Sequence, residues 1–249
     1  MKVLGYSAKT AYYYKKIQGY YPDWEIRYKL KCANTEEELT KFLKESTLIN
    51  KKPIAIISKE QFSGIGQKSR RWLSPKGGIW LSAAYPIFSK NFSNNMFPLS
   101  IAIKLCEMLH SESIEVHLKW PNDIFFGSKK LIGFLPRIIT RGKETIYVRI
   151  GLGMNFLNKT PQEGISLSEI LKTKQICEYY WTARILQTIN ESINCNNKNE
   201  YIIDRANKYL IKKYLPKEYS FSDWIIKDID KNGNLRIFNN TQHKIIKVF

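Results

Sequence analysis

Short apolar runs of strand length alternate along this chain with helical patterns until Pro216, after which only strand patterns remain. That alternation restricts the fold to a mixed α/β architecture carrying a small β appendage. From Asn34 the pattern is helical: in Thr35-Glu36-Glu37-Glu38 the three glutamates are acids suited to a first turn, and Leu39, Phe42 and Leu43 make an apolar face. Pro53 to Ile57 is an isoleucine-rich run of strand length, a polar loop follows from Gln61 to Gly78, and Ile79–Tyr85 reads as a second strand. Leu99–Leu109 is long enough for a buried helix. Strands are expected at Ile114–Lys119, Asp123–Phe126, Lys130–Ile139 and Thr145–Ile150, with Gly127-Ser128 as a tight hairpin turn. Helical patterns occupy Cys177–Ile193 and Tyr201–Tyr214. Beyond Pro216, Phe221–Ile229, Leu235–Phe238 and Lys244–Phe249 read as three strands, the first two joined at Asp230-Lys231-Asn232-Gly233. The segment before Asn34 is rich in Tyr and Lys and has no clear period. The expected division is an N-terminal extension (1–33), a mixed α/β domain (34–215) and a small β domain (216–249).

Composition narrows the class. With 43% hydrophobic and 13% aromatic residues the chain can bury a core and is not a disordered polymer. No apolar run reaches the roughly 18 residues that span a bilayer, and MKVLGYSAKTAYYYKK lacks the apolar core of a secretory signal, so a cytoplasmic address is expected. Cys32, Cys106, Cys177 and Cys195 are widely spaced and form no CxxC pair, and the histidines are scattered, so no metal-binding cluster is expected. The formal charge of +18 would suit a polyanionic partner. The lysines, however, are spread along the whole chain among many Ile, Asn and Tyr residues. This is the pattern of a compositional bias, with an acidic ligand or partner as an additional pull.

Two segments carry chemistry. In Gln61–Pro75 (QFSGIGQKSRRWLSP), Gly64 and Gly66 let backbone approach a ligand, Lys68, Arg70 and Arg71 add positive charge, and Trp72 offers a flat face to a purine. The segment matches neither a dinucleotide fingerprint nor a P-loop. In Lys119-Trp120-Pro121-Asn122-Asp123, Pro121 fixes its own φ and biases Trp120 towards an extended backbone. An amide, a carboxylate and the two lysines Lys119 and Lys130 could then converge across a hairpin, where a cation beside a phosphoryl group stabilises charge developing during transfer. By itself the segment is equally an ordinary surface hairpin with solvated charges.

Together, and in this order, the two segments resemble the signatures of biotin protein ligases, GRGRxGRxWxSP followed by KWPNDxxxxxxK(L/I)xG. Here they read GIGQKSRRWLSP and KWPNDIFFGSKKLIG, and a Gly-x-Gly-x-Asn element appears as Gly151-Leu152-Gly153-Met154-Asn155. The resemblance runs from about Cys32 to the C-terminus. It implies the mixed sheet of the class II aminoacyl-tRNA synthetase and biotin synthetase type, with helices and a small SH3-like C-terminal β domain. Lipoate ligases share that fold but not the KWPND signature.

The resemblance also implies roles. Asn34 and Gln61 would line the biotin pocket, the Gly64–Ile65–Gly66 backbone with Gln67 and Lys68 would cover the ligand, and Trp80 would pack against the biotin rings. Trp72 and Asn155 would hold the adenine. Lys130 would contact the biotin carboxylate and α-phosphate, with Lys119 and Gly133 beside it. Asn122 and Asp123 complete the catalytic group, Asp123 meeting the incoming lysine or a Mg²⁺ ion. The implied activity is biotin activation by ATP and Mg²⁺, then transfer to a lysine of a biotin carboxyl carrier domain, usually that of acetyl-CoA carboxylase. A monomer or weak homodimer is expected, without specific DNA binding, because the segment before Asn34 lacks the pattern of a helix-turn-helix. Other readings are a lipoate- or acyl-specific homologue and a non-catalytic biotin binder. Where the family loop carries its first two arginines, this chain has Ile65 and Gln67; Lys68 follows them at the variable position, and Ser69 replaces the later glycine. Two guanidinium groups are therefore missing, and looser retention of biotinyl-AMP is expected.

Overall fold

The computed structural model describes residues 5–17, 23–45, 52–88, 92–93, 95–141, 144–220 and 223–247. Its frame is a seven-stranded sheet in the order β1-β2-β3-β7-β6-β5-β4. The strands are β1 (Glu25–Lys29), β2 (Ile54–Ser58), β3 (Ile79–Pro86), β4 (His117–Lys119), β5 (Asp123–Phe126), β6 (Lys129–Arg141) and β7 (Glu144–Met154). Only β1 and β2 run parallel; the other neighbours are antiparallel.

Both faces of the sheet are covered, which is why β2 is an unbroken apolar run. Ile54 and Ile56 pack with Leu39 of α2 (Thr35–Glu45) on one face. Ala55 and Ile57 join the larger core on the other face, beneath α3 (Phe97–Ser111) and α5 (Glu178–Asn194). Arg149 of β7 is nearly buried. It pins α2 to the sheet through an ion pair with Glu36 at 2.9 Å and a hydrogen bond to Thr40 Oγ1 at 2.7 Å.

Within the segment that shows no period in the sequence, the described residues form a helix and a strand. α1 (Tyr6–Ile17) packs on α5, and β1 forms the outer edge of the main sheet. The expected extension thus supplies a structural strand. Its signal is weak because tyrosines do the packing: Tyr6 stacks on Tyr28 with centroids 4.1 Å apart, while its hydroxyl donates to Glu178 at 2.8 Å. A ring that packs while its hydroxyl bonds leaves little hydropathy contrast.

Three further differences bear on the site. β7 continues through Gly151-Leu152-Gly153-Met154 rather than stopping before it, so these glycines lie in the sheet. α6 (Asn199–Tyr209) ends five residues before Tyr214, because Leu210 bridges to Leu118 and the Ile211 amide donates to the Leu118 carbonyl at 2.9 Å. The short α4 (Leu167–Leu171) was not foreseen; Ser166 and Glu169 form a reciprocal capping box at its start.

The C-terminal sheet is antiparallel, β10-β9-β8, from β8 (Ile225–Ile229), β9 (Leu235–Phe238) and β10 (His243–Ile246). The expected Asp230–Gly233 hairpin joins β8 to β9, with Gly233 at φ +85°. Phe221, where the first of these strands was expected to start, and residues 248–249 at the end of the third lie outside the described residues.

Candidate active site

The turn Trp120-Pro121-Asn122 links β4 to β5, and its Trp120–Pro121 peptide bond is cis. Asn122 is buried; its Nδ2 donates to the Phe134 carbonyl at 2.8 Å, and the Phe134 amide donates back to the Asn122 carbonyl at 3.1 Å. This exchange fixes the turn against β6. The β5–β6 pairing shifts register at Ile124/Phe125, setting Lys130 opposite Phe125. From there the Lys130 ammonium reaches back to the Asp123 carboxylate at 2.6 Å, with both side chains mostly buried.

Gly133 of β6 and Gly153 of β7 are direct cross-strand partners and form a floor without side chains. The Trp72 indole lies on it. A Cβ at Gly153 would come within 2.5 Å of Trp72 Nε1, and one at Gly133 within 2.9–3.0 Å of Lys130 and Trp72. Lys130 Nζ sits 4.7 Å from the Trp72 ring centroid. Trp72 Nε1–H is buried and has no hydrogen-bond partner. An unpaired buried donor is costly, and here the glycine floor covers it.

These groups border a cavity of about 580 Å³. Asn34, Gln61, Ile65, Gly66, Gln67, Trp72, Lys119, Asn122, Asp123, Lys130, Gly133 and Asn155 all line it, so the structure brings together most of the residues singled out in the sequence. Three are not on its wall. Gly64 lies behind, its carbonyl accepting the Trp72 amide at 2.8 Å. Lys68 is exposed and pairs with Glu218 at 3.2 Å. Trp80 is fully buried, donates from Nε1 to the Pro75 carbonyl at 2.9 Å, and meets Trp72 edge-on at 6.4 Å.

Two lining amides already serve the protein. Gln61 accepts the Thr35 amide at 2.7 Å and donates to Ser74 at 2.8 Å. Asn34 caps α2, its Oδ1 accepting the Glu37 amide at 2.8 Å. The Gly66 amide donates to the Arg70 carbonyl at 2.6 Å, closing the loop on itself. Asn155 holds the other side: it donates to the Lys130 carbonyl at 3.2 Å and accepts from Asn158 at 3.1 Å.

The cavity wall carries Arg70, Arg71, Lys119 and Lys130 against Asp123 and Glu163. Among the described residues only Lys130 of these cations has an ion pair there. Burial pushes the Lys119 ammonium below the usual lysine range; Asp123 opposes this, and Lys130 and Arg70 add to it. Such a wall suits a polyanion. The described residues contain no group of three or more His, Cys, Asp or Glu side chains able to hold a metal ion. Several lining residues were not foreseen, Thr35 and Tyr214 among them. Thr35 bonds Ser82 Oγ at 2.9 Å deep in the cavity, and Tyr214 closes the far side; nothing in the spacing around Tyr214 signals it.

The fold is shared with solved ligases. The biotin protein ligase of Aquifex aeolicus in complex with biotin and ATP superposes with a TM-score of 0.69 at 20% identity, covering 90% of this chain and 95% of that one. By sequence, the chain is 28% identical over 113 residues to the bifunctional ligase/repressor BirA of Escherichia coli, an alignment covering 45% of this chain and 35% of that protein. It is 24% identical over 103 residues to the biotin–[acetyl-CoA-carboxylase] ligase of Paracoccus denitrificans, covering 40% and 43% respectively. The matched region thus spans less than half the length of these curated relatives. The sequence model of the biotin/lipoate A/B protein ligases matches residues 31–155, the span that contains the Lys130–Asp123 pair, the glycine floor and Trp72, and the chain belongs to that family.

Proposed function

We propose that this protein attaches biotin to a lysine of a carrier protein at the expense of ATP, through biotinyl-5′-AMP. The observation that carries this reading is the Lys130–Asp123 ion pair, set beside an indole with an unpaired N–H inside a cationic cavity. In the first step a biotin carboxylate oxygen attacks the α-phosphorus of ATP and pyrophosphate leaves. Lys130 neutralises charge on the carboxylate and the α-phosphate as they approach, a contribution worth several kcal/mol (~3–4) when the donor is fixed in place. Trp72 offers its ring to the adenine, with Asn155 alongside. In the second step the acceptor amine attacks the acyl carbon and AMP leaves. Asp123 is the carboxylate available to orient that amine once Lys130 has turned to the phosphate.

Asn34, Gln61 and Thr35 line the end of the cavity assigned to biotin. Biotin's thiophane ring and alkyl chain are apolar and its ureido group supplies a few polar atoms, the combination such pockets take. With few carboxylates on its wall, the cavity suits Mg²⁺ arriving on the triphosphate of the substrate rather than a resident ion. The carrier is assigned to the biotin carboxyl carrier domain of acetyl-CoA carboxylase, following the name of the Paracoccus relative.

Incubation with ATP, labelled biotin and that carrier domain tests the reading. The wild type labels the carrier, and Lys130→Ala loses labelling by a factor of about 10² or more while melting like the wild type. Undiminished labelling by the folded variant would remove Lys130 from the mechanism.

A further inference from the structure

Lys119 is a cavity cation whose natural partner is taken. Its cross-strand neighbour between β4 and β5 is Asp123, but that carboxylate is bound to Lys130 at 2.6 Å. Lys119 Nζ instead lies 5.0 Å from the Phe125 ring centroid and 5.1 Å from that of Tyr214. The two rings contact each other, with centroids 5.5 Å apart. The faces of aromatic rings attract an ammonium and hold it in place without neutralising it. A half-buried cation beside further cations, clamped by rings and lacking an ion pair, awaits an anion.

Which anion follows from the neighbours, if the ligase reading holds. Trp72 and Lys130 then occupy the adenine and α-phosphate end. The remaining phosphates carry most of the nucleotide's charge, and Lys119 lies beyond Asp123 from Lys130. We propose that Lys119, clamped between Phe125 and Tyr214, receives the pyrophosphate leaving group of the adenylation step. As the biotin carboxylate oxygen bonds to the α-phosphorus, the bond from that phosphorus to the oxygen bridging to the β-phosphorus breaks. The bridging oxygen departs with the electron pair, so negative charge grows on the pyrophosphate where Lys119 stands. A cation already fixed there stabilises that charge without reorganising. Tyr214 acts as a positioning residue. It reaches the cavity because the chain leaves α6 at Leu210, and it lies outside the span matched by the family model.

Biotin-dependent exchange of labelled pyrophosphate into ATP reads this step, and transfer from preformed biotinyl-AMP to the carrier bypasses it. Lys119→Met is expected to raise the KM for pyrophosphate at least about tenfold while transfer stays within about twofold of wild type. Tyr214→Leu should raise the same KM, and Tyr214→Phe, which keeps the ring, should restore it. An unchanged pyrophosphate KM in Lys119→Met, or equal losses in exchange and transfer, would overturn the proposal while leaving the ligase reading intact. A wild type inactive in both half-reactions would overturn the ligase reading and this inference with it.

Discussion

Gly133 and Gly153 face each other across β6 and β7, and Trp72 lies where their side chains would be. A methyl group at Gly153 would stand 2.5 Å from Trp72 Nε1, backed by the sheet, so the indole must move. Gly153→Ala is expected to weaken ATP binding about tenfold or more by calorimetric titration, with a stability loss on the order of 1–3 kcal/mol from overpacking. Tight ATP binding by that variant would mean Trp72 does not hold the base. At this scale much of the site was legible in the sequence, because Lys119–Asp123, Lys130 and Gly151–Asn155 are short spans with fixed internal geometry. Tyr214 and Thr35 were not legible. Their places depend on where a helix stops and which strand it meets, and no local spacing encodes that.

Among the elements, the Gln61–Pro75 loop departs furthest from the pattern its sequence resembles. Lys68 and Ser69 both adopt left-handed backbone, at φ +55° and +57°, and Ser69 stands where the resembled motif has glycine. Each such non-glycine residue costs about 1–2 kcal/mol. The loop is nonetheless held by the Trp72–Gly64 and Gly66–Arg70 hydrogen bonds and by Lys68 on Glu218. Order in the loop is therefore largely its own, and the missing guanidinium groups should tell on ligand retention rather than on loop structure. Restoring them with Ile65→Arg and Gln67→Arg is expected to slow biotinyl-AMP release about tenfold in a stopped-flow chase. Release at the wild-type rate would show that Arg70 and Arg71 already suffice. The sheet and the long helices were readable from apolar period. β1 and α1 were not, since an exposed edge strand such as Glu25-Ile26-Arg27-Tyr28-Lys29 and a helix packed through tyrosines show little contrast.

Over the whole molecule, the C-terminal sheet touches the turn between β4 and β5. Trp120 Nε1 donates to the Gly233 carbonyl at 3.2 Å, and Gly233 sits against Asn95 and Leu99 of the α3 region. Within that sheet Asp228 of β8 pairs with Arg236 of β9, whose guanidinium holds the carboxyl below its usual range. A carboxylate lowered in the folded state stabilises above its unfolded pKa, and this contribution fades as pH falls through the folded value. Asp228→Asn should therefore lower the melting temperature slightly at neutral pH, with the difference closing as the pH falls below the ordinary aspartate range. A gap that persists in acid would point to lost packing instead. Among the described residues no helix is long and apolar enough to cross a membrane. The most direct test of the account is exchange of labelled pyrophosphate into ATP by the wild-type protein, with biotin or lipoate as the acid. Exchange that requires biotin and is at least about 10²-fold slower with lipoate is the predicted result. Exchange supported equally by lipoate, or none with either acid, would contradict it.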